Sequence, residues 1–168
     1  MIELPRFDWS EFLGTREVTS AKVIASYNSY GNEPSTSELN RELIERGKVL
    51  LLPRTNSSRE ITWVKWDGEG ELSQNSHLNS QLLEPDGDEY SGAIDLFIVP
   101  ALAVDHDGVR LGQGGGSYDR ALANHSGWKI AVVYESELLD LKIPSESHDQ
   151  RVDAVLTPSK LVRITSKS

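Results

Sequence analysis

The sequence predicts an α/β fold: a three-layer sandwich with a mostly parallel central sheet and helices on both faces. Three observations carry this. Lys22–Tyr27, a helix-patterned stretch and Lys48–Leu52 form strand, helix and strand within about thirty residues, a βαβ unit that requires parallel strands. Ile94–Val99 is a continuous apolar run closed by Pro100, as expected of a strand buried on both faces. A glycine-rich turn and a helical stretch then lead to another apolar run, Trp128–Val133, which repeats the alternation.

Taken in order, Phe7, Trp9, Phe12 and Leu13 suit one face of a short N-terminal helix, with Asp8 or Ser10 as its cap. The strand Lys22–Tyr27 ends in Asn28-Ser29-Tyr30-Gly31-Asn32-Glu33-Pro34, which is loop chemistry. Ser35 or Thr36 is expected to cap a helix reaching Arg46, with Leu39, Leu43 and Ile44 buried and Gly47 as its stop. Pro53-Arg54 should end the strand Lys48–Leu52. Ile61–Trp66 reads as a third strand, and Asp67-Gly68 as a hairpin signal that suggests an antiparallel partner. Glu69 to Asp88 is polar and aperiodic, a long excursion. Ile94–Val99 is the most apolar strand and so the central one. Asp105-His106-Asp107-Gly108 is a turn, and Tyr118–His125 a helix. After Trp128–Val133, Glu135–Leu141 is a short helix or loop broken at Ile143-Pro144. Val152–Leu156 and an edge strand Leu161–Ile164 complete the sheet.

Composition narrows the functions. A chain of 168 residues with 38% hydrophobic content suits a single domain with one sizeable core. The formal net charge of −9 argues against sequence-independent nucleic-acid binding, which needs basic surface. The absence of cysteine excludes disulfides, thiolate metal sites and a cysteine nucleophile. No apolar run approaches the ~18 residues of a membrane span, and the N-terminus is too polar for a signal peptide. A monomeric cytoplasmic protein without nucleic-acid or membrane partners is the expectation.

The chemistry concentrates in Arg110-Leu111-Gly112-Gln113-Gly114-Gly115-Gly116-Ser117-Tyr118-Asp119-Arg120. Glycines let the backbone approach a ligand and adopt positive φ. Free N–H groups at a helix start attract an anion. Arg110 and Arg120 flank the turn and Asp119 adds a carboxylate, so the stretch suits a phosphate or carboxylate cradle with a metal-capable edge. It is not a Walker A loop, having no Gly-Lys-Ser/Thr, and Ser117 breaks the dinucleotide fingerprint. A glycine run alone is equally well a tight turn. His77, His106 and His125 lack metal-ligand spacing.

The longer pattern resembles the 5-formyltetrahydrofolate cyclo-ligase family, also called 5,10-methenyltetrahydrofolate synthetases. The resemblance rests on Val99-Pro100-Ala101-Leu102-Ala103-Val104-Asp105, Gly108 and the stretch from Arg110 to Arg120. Tyr27, Ser29, Gly31, Glu33, Pro34 and Thr36, then Gly47-Lys48, Leu52-Pro53-Arg54 and Glu84-Pro85, match in order. So do Pro144, Glu146, His148, Asp149, Val152, Asp153 and Thr157. It implies one cyclo-ligase-like domain over 1–168, with the family's N-terminal helix shortened. It also implies ATP- and magnesium-dependent cyclisation of 5-formyltetrahydrofolate to 5,10-methenyltetrahydrofolate, releasing ADP and phosphate. The alternative is a folate-binding protein of the same fold with reduced or lost catalysis. A sugar-phosphate or acyl-transfer enzyme would share the architecture, but no motif places a nucleophile or base for it.

The resemblance also assigns roles. Arg110 contacts ATP phosphates, and with Asp119 forms the catalytic pair. Gly112, Gly114, Gly115 and Gly116 line the nucleotide. Asp119 and Asp153 hold magnesium, against the plainer reading of Asp119 as an acid at a helix start. Glu33 takes the pterin's N–H groups. Asn28, Gln113, Gly114, Gly115, Gly116, Ser117 and Tyr118 line the folate site, with core packing the equal alternative for Tyr118 and Tyr30. His148 suits a structural hydrogen bond, and Asp105 and Asp107 a turn. Two positions depart from the family. Ser117 stands where a tyrosine is usual, for which Tyr30 or Trp63 could compensate. No Lys-x-x-x-Arg run precedes the first strand, and Arg6 and Arg16 do not align with one.

Overall fold

The structure is a computed structural model that describes residues 3, 5–75 and 82–165. His77 and part of the Glu69–Asp88 excursion lie outside the described residues. Among those described, seven strands form the main sheet in the order β12-β11-β9-β6-β1-β2-β3. They are β1 (Val23–Ala25), β2 (Val49–Thr55), β3 (Ile61–Lys65), β6 (Leu96–Pro100), β9 (Trp128–Val132), β11 (Ala154–Leu156) and β12 (Leu161–Arg163). The five inner strands are parallel and the two edges, β3 and β12, antiparallel. β6 is the middle strand, as its unbroken apolar run predicts, and Leu96 to Val99 are fully buried.

Side chains alternate across the sheet. Ile24, Leu50, Leu96, Ile98 and Ile130 pack against helices α1 (Ser10–Leu13), α2 (Arg16–Ser20) and α3 (Ser37–Glu45) through Phe12, Leu13, Val18, Leu39 and Leu43. Ala25, Leu51, Phe97, Val99 and Ala131 face the other way, with Leu122 of α4 (Ser117–Leu122) among them. The order of strands reverses between β1 and β6: β2 lies on one side of β1 and β6 on the other. In open parallel sheets that crevice, at the carboxyl ends of the strands, is where ligands bind.

Several expected boundaries shift, each for a local reason. The N-terminal helix is two short ones. The Asp8 carboxylate accepts the Ser10 N–H at 3.0 Å, and Thr15 caps α2 by accepting from Val18 N. Neither Ser35 nor Thr36 caps α3 through its side chain; the Thr36 hydroxyl instead donates to the Tyr27 carbonyl at 2.7 Å. Gly47, at φ +80°, does end α3. Pro53-Arg54 does not end β2, which runs to Thr55. Ser26 N–H bonds the Leu51 carbonyl, so positions 51 and 53 face the β1 side. β1 stops at Ala25, and the missing Pro53 donor therefore interrupts no ladder.

β3 is antiparallel as expected, but its partner is β2 and the joining turn is Asn56–Glu60. Asp67-Gly68 makes a later turn, in which the Asp67 carboxylate accepts the Glu69 and Gly70 N–H groups. The excursion contains a small hairpin, β4 (Leu72–Gln74) with β5 (Leu83–Pro85). Inside it Glu84 is buried and accepts from Thr55 N and Asn75 Nδ2. A second small sheet of three strands lies outside the elements that the sequence pattern predicts. It comprises β7 (Ala103–Asp105), β8 (Arg110–Leu111) and β10 (Leu138–Leu139), strands too short to leave a periodic signal. Among the described residues no helix is long and apolar enough to cross a membrane.

Candidate functional site

A cavity of about 540 Å³ opens beyond the carboxyl ends of β1 and β6. Tyr27 and Asn28, just after β1, line it on one side; Pro100 and Ala101, at and after the end of β6, line another. The glycine stretch folds over it as β8, a turn and the start of α4. Every residue assigned above to ATP, magnesium or folate lines this cavity except Asp153.

The loop after β1 is held by a buried polar network. The Tyr27 carbonyl accepts from Thr36 Oγ1 and, at 3.0 Å, from Asn40 Nδ2, while Ser26 Oγ donates to Asn40 Oδ1 at 2.6 Å. Thr36 and Ser29 exchange two further bonds. These bonds fix the loop that carries Glu33. The Glu33 carboxylate is half-buried and accepts one N–H, from Tyr30 at 3.0 Å. Burial raises its pKa, and the Tyr30 bond only partly opposes this. A carboxylate in that state has lone pairs to spare for a ligand bearing parallel N–H groups.

Arg110 is a buried cation of the site. Its side chain is only 6% exposed. Nη1 donates to the Pro100 carbonyl at 3.0 Å, and the guanidinium lies over the Tyr118 ring at 5.3 Å. Gly112 lies close beside it: a Cβ there would stand 3.2 Å from Nη1, and the guanidinium would have to give way by a few tenths of an ångström. The nearest carboxylate, Asp119, is 4.0 Å away, and Nε is buried with no hydrogen-bond partner among the described residues. Desolvation lowers the arginine's pKa, and Asp119, Tyr118 and Asp149 oppose this. A buried charge so lightly compensated is costly unless an anion completes it.

Asp119 sits in the first turn of α4 and accepts the Gln150 N–H at 3.0 Å. That bond brings the segment around His148 and Asp149 against the cavity, and both residues line it. Asp153 does not come here. It immediately precedes β11, at the amino ends of the parallel strands and so away from the cavity. Its carboxylate accepts the Lys129 N–H at 2.8 Å, which is a structural role. Asp149, four residues earlier in the same C-terminal signature, does line the cavity, and its carboxylate accepts the Glu146 N–H at 2.8 Å. The sequence signal was present in His148-Asp149, but only the strand direction separates the two aspartates.

Among the described residues no three His, Asp or Glu side chains cluster as a protein-only metal cage. Two carboxylates facing a phosphate-suited arginine do fit magnesium, which takes one or two carboxylates and fills its shell with phosphate oxygens and water.

The glycines behave as the turn requires. Gly114 and Gly116 have φ of +98° and +67°. Arg120 donates from Nη1 to the Gly115 carbonyl at 2.9 Å and from Nη2 to the Arg59 carbonyl at 3.2 Å, tying the turn to the β2–β3 hairpin. Ser117 lines the cavity. Of the two aromatics considered for its missing ring, Tyr30 lines the cavity and its hydroxyl accepts from Gln113 Nε2 at 3.4 Å. Trp63 is only 4% exposed and packs edge-on against Phe97 and Tyr118 in the core. Tyr118 serves both roles, packing on Trp63 and lining the cavity, and burial keeps its hydroxyl protonated. Asp105 serves the β7–β8 turn, accepting from Asp107 N and Val109 N, and also holds Ile143 N at 2.8 Å. His106 pairs with Asp140, His125 packs on Phe97, and neither lines the cavity. Arg6 and Arg16 do not line it either.

The family model described as the 5-formyltetrahydrofolate cyclo-ligase family matches residues 10–158. A 5-formyltetrahydrofolate cyclo-ligase of Mycolicibacterium smegmatis is 37% identical over 151 residues, covering 84% of this chain and 76% of that one. The Escherichia coli cyclo-ligase is 31% identical over 153 residues, covering 86% and 82%. Among solved structures, the Aquifex aeolicus 5,10-methenyltetrahydrofolate synthetase superposes with a TM-score of 0.79 at 27% identity, covering 95% of this chain and 80% of that one. The Mycoplasma pneumoniae synthetase, at 22% identity and a TM-score of 0.64 over 87% and 77%, shares the fold.

Proposed function

The chain belongs to the 5-formyltetrahydrofolate cyclo-ligase family, and we propose that it catalyses the ATP-dependent closure of 5-formyltetrahydrofolate to 5,10-methenyltetrahydrofolate in the cavity beyond β1 and β6. The observation that carries this reading is Arg110: a buried guanidinium whose Nε has no hydrogen-bond partner among the described residues, 4.0 Å from Asp119 in the lining of the cavity.

The chemistry asks for such a site. A formyl oxygen on N5 is a poor leaving group. Its attack on the γ-phosphorus of ATP forms an O–P bond, and the bond from that phosphorus to the bridging oxygen breaks to release ADP. N10 then attacks the formyl carbon, the C–O bond breaks, and phosphate departs with the N10 proton. The enzyme must therefore hold a triphosphate in line with a formyl group and stabilise charge on the phosphoryl oxygens.

Glu33 accepts the pterin's amino and ring N–H groups at one end, and its loop is fixed by the Tyr27 and Asn40 network. Arg110 gives planar contact to the phosphates at the other. Gly112 to Gly116 bring backbone between the two, where a Cβ would stand against Arg110 at Gly112 and against Arg120 at Gly116. Magnesium, held by Asp119 and Asp149 together with phosphate oxygens, would neutralise phosphate charge. Tyr30, Tyr118 and Asn28 enclose the folate, with Tyr30 supplying the ring that Ser117 does not. The net charge of −9 supports small molecules rather than nucleic acid as partners.

Incubation with 5-formyltetrahydrofolate, ATP and magnesium should give methenyl absorbance and ADP in equal amounts. Absence of both products at high protein concentration would refute this reading.

A further inference from the structure

Arg59 has no place in the site described so far, yet it lines the same cavity. Among the described residues it is the one non-glycine with positive φ, at +62°. It stands in a tight hairpin. Asn56 N–H bonds the Glu60 carbonyl, Arg59 N–H bonds the Asn56 carbonyl, and the Asn56 side chain accepts from Ser58 N and Glu60 N. The last residue of such a three-residue loop takes the left-handed conformation, a position that hairpins usually give to glycine. An arginine there is strained, and strain of this kind is retained where a side chain must be aimed.

The aim is clear from the neighbours. Nη1 of Arg59 lies 2.9 Å from where a Cβ on Gly115 would stand, so the guanidinium rests on the bare backbone of the glycine turn. Arg120 holds both parts in place by bonding the Arg59 and Gly115 carbonyls with one guanidinium. Among the described residues no carboxylate lies within ion-pair distance of Arg59. Glu60, its neighbour, is engaged by Asn56 Nδ2. The cavity thus has a second arginine besides Arg110, carried by the β2–β3 hairpin and laid against the glycine turn.

We propose that Arg59 binds an oxyanion of the substrates, either a phosphate of ATP or the glutamate carboxylate of the folate. The proposal rests on the two-substrate reading above and adds a residue that the sequence patterns did not single out.

Arg59→Gly is the informative variant, because glycine accepts φ +62° freely and so removes the side chain with its guanidinium without straining the turn. Calorimetric titration should compare ATP, 5-formyltetrahydrofolate and 5-formyltetrahydropteroate, which lacks the glutamate. Affinity for at least one of the first two should fall about tenfold, the size of one charge-assisted contact, with Tm unchanged or raised. Weaker ATP binding identifies the phosphate. Weaker binding of the folate but not of the pteroate identifies the carboxylate. Unchanged affinities in a wild type that binds both ligands overturn the role of Arg59 alone, as does a loss accompanied by a lowered Tm. A wild type that binds neither ligand overturns the two-substrate reading and Arg59 with it.

Discussion

The Asp119 carboxylate accepts the backbone N–H of Gln150 at 3.0 Å, across 31 positions of sequence. This bond joins the start of α4 to the C-terminal signature, and both Asp119 and Asp149 line the cavity. Spacing alone does not reveal that these two carboxylates share it.

If that pair serves the phosphates, Asp149→Asn and Asp119→Asn should each lower kcat by about 10²-fold and raise the magnesium concentration for half-maximal rate. Asp153→Ala should leave the magnesium dependence unchanged and cost ~1 kcal/mol of stability through the lost Lys129 bond. Steady-state rates against magnesium, with thermal melts, separate the two. The reverse pattern would return the metal role to Asp153.

Glu33 gives a pH prediction with a definite sign. Burial raises its folded-state pKa above the unfolded value, so the native state binds more protons in that window. This group's contribution to stability therefore falls as pH rises through the window, and Glu33→Gln should keep or raise Tm at neutral pH. Pterin N–H donors favour the ionised form, so folate affinity should weaken as pH falls through the raised pKa. The variant should lose both the affinity and this pH dependence. Calorimetry from acid to neutral pH checks each point.

Gly108 ties the β7–β8 turn to the same C-terminal segment. Its φ is +82°, its carbonyl accepts Val152 N–H, and a Cβ would stand 2.5 Å from the Val152 carbonyl. Gly108→Ala should cost ~2 kcal/mol or more. It should also depress turnover, because the strand entry it displaces follows Asp149 by three residues. Denaturant unfolding and rate measurements on the same sample test the coupling.

Much of this was legible in the sequence because the signals were long or chemically specific. The β1–α3–β2 unit and the unbroken run of β6 give the parallel sheet and its centre. The stretch from Arg110 to Asp119 and the position of Glu33 give residues that line one cavity. What stayed hidden depended on strand direction or on contacts distant in sequence. Asp149 and Asp153 share a signature, and only β11 places them at opposite ends of the sheet. Pro53 reads as a strand stop until β1 is seen to end beside it. Trp63 and Tyr30 are equivalent candidates until the sheet buries one and leaves the other at the cavity. Arg59 sits in a polar turn whose sequence, Asn56-Ser57-Ser58-Arg59, gives no hint of a left-handed arginine laid over Gly115.

The most direct test of the central claim follows the formyl oxygen. With 5-formyltetrahydrofolate carrying ¹⁸O in its formyl group, turnover in the presence of ATP and magnesium should place one ¹⁸O in each inorganic phosphate formed. Methenyl product accompanied by unlabelled phosphate would contradict phosphoryl transfer to the formyl oxygen, and with it the role assigned to the Arg110 end of the cavity.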